Sequence, residues 1–123
     1  MKTLNPRARV FALGVAVAAT MQCGSAIAAC SNIRFERGAS SAQVQGTAPA
    51  EGFDCLRFST GAGQDVQLSV RSPHDAVAFS VIGEADARDS LRFRSVKKTY
   101  ELRVFQLFRG VAPVKYELDL AIR

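Results

Sequence analysis

Residues 99–123, TYELRVFQLFRGVAPVKYELDLAIR, decide the fold. In the second half of this stretch the apolar Tyr116, Leu118, Leu120 and Ile122 share one parity, and the charged Glu117, Asp119 and Arg123 share the other. A strand points successive side chains to opposite faces, so the alternation predicts one buried and one solvated face. Tyr100, Leu102 and Val104 repeat the pattern before a connection that contains Gly and Pro, which predicts an antiparallel hairpin. One hairpin cannot bury its own apolar face, so the rest of the chain must supply the opposing surface.

Two apolar residues interrupt the alternation. Phe105 and Leu107 fall on the parity opposite to that of Val104. A β-bulge near Val104, or a strand buried on both faces, would bring them into the core, and this is the interpretation we favour. If the pair is exposed instead, it forms a contact surface.

Strand-like segments recur through the rest of the exported chain. They centre on Ile33 and Phe35, residues 43–47, Leu56 and Phe58, Val66 to Val70, Val77 to Val81, and Leu91 and Phe93. Turn residues such as Gly61-Ala62-Gly63 and Ser72-Pro73 separate them, and no segment after Cys30 has sustained helical periodicity. This pattern predicts an all-β antiparallel sandwich or a flattened barrel. We take it as a single antiparallel β-sandwich of about eight short strands.

The N-terminus has the composition of a secretory signal peptide. Basic residues at positions 2, 7 and 9 precede an apolar, alanine-rich run over residues 10–29 that ends in small residues. Glycines and polar residues in its second half argue against a retained membrane helix. We therefore predict cleavage after Ala29, which makes residues 1–29 a signal peptide and residues 30–123 one exported β-sandwich domain.

Removal of the signal peptide changes the charge balance. It takes away three of the sixteen Lys and Arg and none of the eleven carboxylates, so the net charge falls from +5 to +2. The cations expected on outward faces are Arg92, Arg94, Lys97, Lys98 and Arg103. They have no interleaved aromatic platform and no nucleic-acid-binding motif is present, so they indicate a solvated face and no nucleic-acid partner.

Two cysteines remain after cleavage, because Cys23 lies in the signal peptide. In an oxidising compartment Cys30 and Cys55 are expected to form a disulfide, worth about 3 kcal/mol in the chain-entropy model. Ile27-Ala28-Ala29-Cys30 also fits the loose bacterial lipobox. Acylation there would anchor the protein to the outer membrane through Cys30 and leave Cys55 as a free thiol, and only then would the membrane be a partner.

The chain lacks the usual constellations of catalytic residues. His74, the only histidine, lies between Pro73 and Asp75 in a predicted turn, and no familiar zinc-ligand spacing is present. Glu51 and Asp54 flank a glycine-containing turn, which gives no reason to treat them as an acid/base pair. Nucleophile elbows, phosphate-binding loops and dinucleotide fingerprints are also missing from the sequence. We predict a protein that is not an enzyme and that uses no metal or cofactor.

Four blocks of sequence resemble the bacterial periplasmic inhibitors of goose-type (g-type) lysozyme. The blocks are FERGASSAQ at residues 35–43 followed by Gly46, GQDV at 63–66, KTYELRV at 98–104, and Lys115-Tyr116. The first two blocks also resemble bacterial pre-peptidase C-terminal domains and other exported sandwich modules. The resemblance spans nearly the whole exported chain and implies a non-enzymatic β-sandwich that inserts loop side chains into the active-site cleft of a host or competitor lysozyme.

The same resemblance suggests contact residues. Related lysozyme inhibitors use a Ser-Gly-x-Tyr motif, which aligned on its tyrosine falls on Lys97, Lys98, Thr99 and Tyr100. The tyrosine is kept, whereas two lysines replace the serine and glycine and offer ammonium groups to a cleft lined by carboxylates. Tyr100 also has the parity of the buried column, and the lysines also suit a solvated turn, so both interpretations remain open.

The function predicted from the sequence is a periplasmic or secreted lysozyme inhibitor that prefers g-type enzymes. The alternative is a non-catalytic envelope module that binds carbohydrate or protein. A rigid, disulfide-linked sandwich commonly binds through its loops, which is consistent with either function.

Overall fold

A computed structural model describes residues 29–123, so the predicted signal peptide lies outside the described residues except for Ala29. The strands are β1 (Ser31–Asn32), β2 (Ser41–Ala48), β3 (Asp54–Thr60), β4 (Asp65–Arg71), β5 (Val77–Val81), β6 (Ala85–Arg88), β7 (Ser90–Arg94), β8 (Lys98–Gln106) and β9 (Val114–Ile122). One 3₁₀ turn, Pro73–Asp75, lies between β4 and β5. The described part of the chain contains no helix of the length and apolarity needed to cross a membrane.

The strands form two facing sheets, which confirms the predicted sandwich. One sheet has five strands in the order β1-β3-β8-β5-β6, and the other has four in the order β2-β9-β4-β7. Neighbouring strands are antiparallel except for β1 and β3, which are parallel. The described chain has nine strands rather than about eight because the short segment Ala85–Arg88, which has no apolar column, forms β6.

The predicted hairpin of the last two strands is wrong. β8 pairs with β3 and β5 in one sheet, and β9 pairs with β2 and β4 in the other. Residues 107–113 carry the chain between the sheets, and a connection of this length easily spans the roughly 10 Å that separates packed sheets. Among the described strands only β5 and β6 are joined as a hairpin.

The alternating apolar columns do form the core, as predicted. Leu102 and Val104 of β8 and Leu118 and Leu120 of β9 are completely buried, and they belong to one core formed by both sheets. Both strands therefore bury the face that the sequence pattern assigns to the interior, even though they do not pair. Burial of this kind stabilises a fold by roughly 1.5–3 kcal/mol for each large apolar side chain.

The expectation that Phe105 and Leu107 pack in the core is wrong. β8 runs without a bulge, since Phe105 pairs with Ala78 and the residue before it with Phe79. Phe105 therefore points to the outer face, where it is half-buried, and Leu107 is 46 % exposed in the connection that follows. Phe108 in the same connection is 79 % exposed, so this region matches the exposed contact surface that was the alternative.

Cys30 and Cys55 form the predicted disulfide, with their Cα atoms 4.5 Å apart. The bond joins the start of the described chain to the second residue of β3. It places Ser31 beside Leu56 in the parallel pair of β1 and β3. Because the bond occupies the thiol that a lipobox would acylate, this arrangement and lipidation of Cys30 exclude each other.

Tyr116 joins the two sheets at the end of the sandwich where β3 begins. Its hydroxyl donates a 2.5 Å hydrogen bond to Oδ2 of Asp54, the first residue of β3. Burial of the ring raises the pKa of Tyr116 well above its ordinary value, and the neighbouring carboxylate raises it further. The ring also lies against Gly46 on β2, where an added Cβ would come within 2.6 Å of ring carbon Cζ. Asp54 is thus a structural acceptor rather than half of an exposed pair with Glu51.

Candidate functional site

The connection between β7 and β8 lies at one end of the sandwich and contains the predicted contact residue Lys97, while the other three begin β8. We call residues 95–98 the tip. Lys97 and Lys98 are exposed, and the preceding residue, Val96, is 58 % exposed. The tip lies beside the turn at residues 61–64, which joins β3 to β4.

Ser95 fixes the base of the tip to this neighbouring turn. Ser95 is only 3 % exposed. Its Oγ donates to the carbonyl oxygen of Gly61 at 2.6 Å and accepts from the amide of Gln64 at 3.2 Å. Its backbone amide donates to the Gln64 carbonyl at 2.8 Å, and its carbonyl accepts from the Gly63 amide at 2.7 Å. One buried residue thus anchors the tip through four hydrogen bonds.

Both backbone polar groups of Val96 are held by side chains from the sheet below. The hydroxyl of Thr60 donates to the Val96 carbonyl at 2.8 Å, and the Val96 amide donates to the hydroxyl oxygen of Tyr100 at 3.1 Å. Because neighbouring backbone groups are already bonded, the tip has little freedom to change shape when another molecule approaches.

Tyr100 lies beneath the tip and not on its surface. It is 2 % exposed, and its ring stacks on Phe58 with the centroids 5.4 Å apart and meets the edge of Phe93 at 5.2 Å. The hydroxyl reaches the tip only through its bond to Val96. The structure therefore gives Tyr100 the environment of a core tyrosine whose polar end supports the tip.

The other three predicted contact residues are brought together at the surface. Thr99 is exposed, and its hydroxyl forms a 2.8 Å hydrogen bond with the hydroxyl of Ser59 on the adjacent strand. Lys98 places its Nζ 4.8 Å from the centroid of the Tyr100 ring, a cation–π arrangement. Lys97 is exposed in the connection just before β8.

The predicted outward-facing cations do not form one patch. Arg92 donates to both carboxylate oxygens of Asp65 at 2.8 and 3.1 Å, and this bond lowers the pKa of Asp65. Arg103 lies in the other sheet, where it pairs with Glu101 at 2.8 Å. Neither Lys97 nor Lys98 has an ion-pair partner in the described chain, so the tip carries two uncompensated positive charges.

The remaining chemical candidates do not assemble a reactive centre among the described residues. His74 is exposed within the 3₁₀ turn, as predicted for a loop histidine. Cys30, Cys55 and Glu101 come within 4.8 Å of one another, but both sulfurs are used in the disulfide and offer no thiolate to a metal.

Sequence reasoning missed the residues that hold the tip in place. Thr60 and Gln64 end one strand and precede the next, and their hydrogen bonds reach a segment about thirty positions away. Neither hydropathy nor periodicity reports such a contact. The one available signal was the placement of polar residues at strand ends, which indicates a loop without indicating its partner.

Comparison with solved structures finds close likenesses of this sandwich. Salmonella Typhimurium PliG, a periplasmic inhibitor of g-type lysozyme, is 21 % identical with a TM-score of 0.63, covering 79 % of this chain and all of that one. A mutant of the corresponding Escherichia coli inhibitor is 25 % identical with a TM-score of 0.59, covering 75 % and 96 % of the two chains. The chain has the fold of these inhibitors. No protein-family model and no curated protein matches the sequence.

A second kind of structure shares the fold. The pre-peptidase C-terminal domain of a Bacillus anthracis collagenase is 13 % identical with a TM-score of 0.59, covering 81 % of this chain and all of that domain. Both resemblances drawn from the sequence blocks are therefore confirmed at the level of the fold. Because one sandwich serves different functions, the activity of this chain has to be argued from its surface.

Proposed function

We propose that this protein is a periplasmic or secreted inhibitor of lysozyme, with a preference for g-type enzymes, and that it acts by inserting the tip into the active-site cleft. The observation that carries the proposal is a rigid, exposed, cationic tip at one end of a sandwich with the fold of known inhibitors. The proposal includes export, with residues 1–29 removed as a signal peptide.

Charge favours this partner. Glycoside hydrolases of this kind cleave between a pair of carboxyl groups, so the floor of their cleft is acidic. Lys97 and Lys98 present two ammonium groups without ion-pair partners among the described residues, and the exposed hydroxyl of Thr99 adds a hydrogen-bonding group. Ammonium groups that reach the cleft carboxylates would form charge-assisted hydrogen bonds and occupy the place of the glycan.

Rigidity favours tight inhibition. Ordering a mobile side chain or loop on binding costs about 0.5–1.5 kcal/mol for each flexible side chain. The tip already has its backbone fixed by Ser95, Thr60 and Tyr100, so docking orders little beyond the lysine side chains. In this proposal Tyr100 is a positioning residue that acts through Val96, while Lys97, Lys98 and Thr99 make the contact.

The test measures the inhibition of purified g-, c- and i-type lysozymes. Lysozyme activity is monitored as the clearing of a peptidoglycan suspension. The protein should inhibit the g-type enzyme at micromolar concentration or below. Lys97→Glu should raise the inhibition constant at least about tenfold, because it turns an attraction to the cleft into a repulsion.

Lys115→Glu is the matched control, since Lys115 is exposed on β9 and the substitution changes the net charge by the same amount. It should leave the inhibition constant within about twofold of the original value, as expected for a surface charge outside the contact. Absence of inhibition for all three lysozyme types at micromolar excess defeats the proposal. Equal effects of the two substitutions would defeat the assignment of the tip.

A carbohydrate-binding envelope module is the second candidate. The outer face of the four-stranded sheet has a shallow depression of about 610 Å³ lined by polar groups that include Gln43, Gln67, Ser69 and Asp119. Amide, hydroxyl and carboxylate groups are suited to sugar hydroxyls. Binding of soluble peptidoglycan fragments in the absence of lysozyme, lost on Gln67→Ala, would favour this candidate over inhibition.

A further inference from the structure

Four strands lie at the edges of the two sheets, and three of them are protected from pairing with another chain. β1 has two residues, and β6 has four and faces an irregularity of register between Phe79 and Val81. β7 carries Arg92 and Arg94 on its outward face. Short length, irregular register and charge are the usual means by which sheet edges avoid adding another strand.

The fourth edge, β2, has none of these protections. It spans Ser41–Ala48, with the sequence SAQVQGTA, and contains no charged residue and no proline. Its register with β9 is unbroken from Ser41 opposite Ala121 to Ala48 opposite Val114. An edge that is long, regular and uncharged is a ready template for a further strand.

The open backbone groups of β2 can be assigned from the hydrogen bonding. The amide of Ile122 donates to the carbonyl of Ser40 at 2.8 Å, and bonded and outward-pointing residues alternate along an antiparallel strand. The even-numbered residues of β2 therefore bond to β9. The odd-numbered Ser41, Gln43, Gln45 and Thr47 turn their amides and carbonyls to the open edge, and all four are exposed. No hydrogen bond from another described segment reaches those backbone groups.

We propose that β2 pairs with β2 of a second copy of this chain, antiparallel about a two-fold axis. With the Val44 residues of the two copies facing each other, Gln43 lies opposite Gln45 and Ser41 lies opposite Thr47. All four outward residues then form hydrogen-bonded pairs, about eight inter-chain bonds in total. The two four-stranded sheets become one continuous sheet.

A second copy fits this edge because the pairing is self-complementary. Charged residues directly opposite like charges destabilise a strand pair, and β2 presents none. The small Gly46 opposes Ala42 on the inner face, so nothing bulky meets there. A two-fold contact uses the edge on both copies and closes on itself, so the assembly stops at a dimer.

The dimer does not depend on the proposed inhibition. β7, which leads to the tip, is the opposite edge of the same sheet from β2. Pairing through β2 therefore leaves both tips exposed, and either proposal can fail without the other.

Molar mass measured over a concentration series by sedimentation or light scattering tests the dimer. The purified protein should shift from monomer to dimer with rising concentration. Gln45→Pro should abolish the shift, because it removes an outward amide that the monomer does not use, and proline is tolerated in edge strands at such positions. Circular dichroism confirms that the variant is folded.

Charge supplies a second variant if the proline variant does not fold. Gln43→Lys combined with Gln45→Lys sets like charges opposite each other across the axis and should raise the dimer dissociation constant at least about tenfold. Gln67→Lys combined with Ser69→Lys is the matched control, because it adds the same charge on central strand β4, away from the edge. Monomer mass for the original protein at every concentration, or a dimer unchanged by the edge variants, overturns the proposal.

Discussion

Replacing Ser95 with alanine tests whether the tip is rigid for the reason its contacts indicate. The substitution removes one hydroxyl and leaves the backbone path unchanged. That hydroxyl donates to the carbonyl of Gly61 at 2.6 Å and accepts from the amide of Gln64 at 3.2 Å. Since Ser95 is 3 % exposed, water has no direct path to replace it, and both backbone groups lose a partner.

The size of the effect follows from those two lost bonds. A buried polar group left without a partner costs about 1–3 kcal/mol. The shorter bond to Gly61 should dominate, so we expect the free energy of unfolding to fall by about 2 kcal/mol. For a domain of this size each kcal/mol lowers the melting temperature by about 4–8 °C, which predicts a decrease of about 8–16 °C.

Urea unfolding followed by circular dichroism measures the change, with Ser90→Ala as control because Ser90 is exposed on the neighbouring strand. The control should change the unfolding free energy by less than about 0.5 kcal/mol. If Ser95→Ala also lowered the unfolding free energy by less than about 0.5 kcal/mol, the reasoning that the buried hydroxyl anchors the tip would be refuted. If the protein inhibits lysozyme as proposed, Ser95→Ala should also weaken inhibition with both lysines intact.

Three further predictions concern stability. The raised pKa of Tyr116 means that its contribution is intact below about pH 10 and is lost above it at about 1.4 kcal/mol per pH unit, so Tyr116→Phe should flatten the alkaline fall of the unfolding free energy. The lowered pKa of Asp65 means that its pairing with Arg92 stabilises the fold above the ordinary value of 3.8 and is lost as pH falls; Asp65→Asn should flatten the acid limb of the same titration. Replacing Cys30 and Cys55 together with serine should lower the unfolding free energy by about 3 kcal/mol, measured by urea denaturation; an unchanged midpoint would contradict it.

The sequence pattern predicts what each strand buries but not what it pairs with. The apolar columns that contain Leu102 on β8 and Leu118 on β9 are in the core, as their alternation predicts. The alternation is enough for this prediction because each strand separates its own side chains into two faces. Pairing depends on where the connection leads, and a seven-residue connection permits either a hairpin or a crossing between sheets. Phe105 shows the same limit of sequence patterns. Its apolar side chain predicts a bulge that would bury the ring, whereas β8 keeps a regular register and leaves the ring partly exposed.

The sequence likewise predicts some residues of the candidate site and not others. Lys97, Lys98 and Thr99 are exposed where a turn was expected, because charged residues at the start of a strand favour solvent. The sequence leaves open whether Tyr100 is a core residue or a contact residue. In the structure its ring is buried and its hydroxyl oxygen accepts a hydrogen bond from the Val96 amide. The supports at Thr60 and Ser95 depend on contacts between distant segments, which a local pattern does not encode.

The disulfide at Cys30 and the tip lie far apart, so the chemical state of Cys30 does not affect the contacts that hold the tip. Cys30 is joined to the beginning of β3, whereas the tip is bonded to Thr60 at the end of that strand. At about 3.3 Å per residue the five steps from Cys55 to Thr60 along β3 separate the two attachment points by roughly 17 Å. With the disulfide formed, the start of the described chain and the tip lie at opposite ends of β3. Because acylation of Cys30 would break the disulfide, it would remove the stability that the bond supplies and leave the hydrogen bonds at the base of the tip in place.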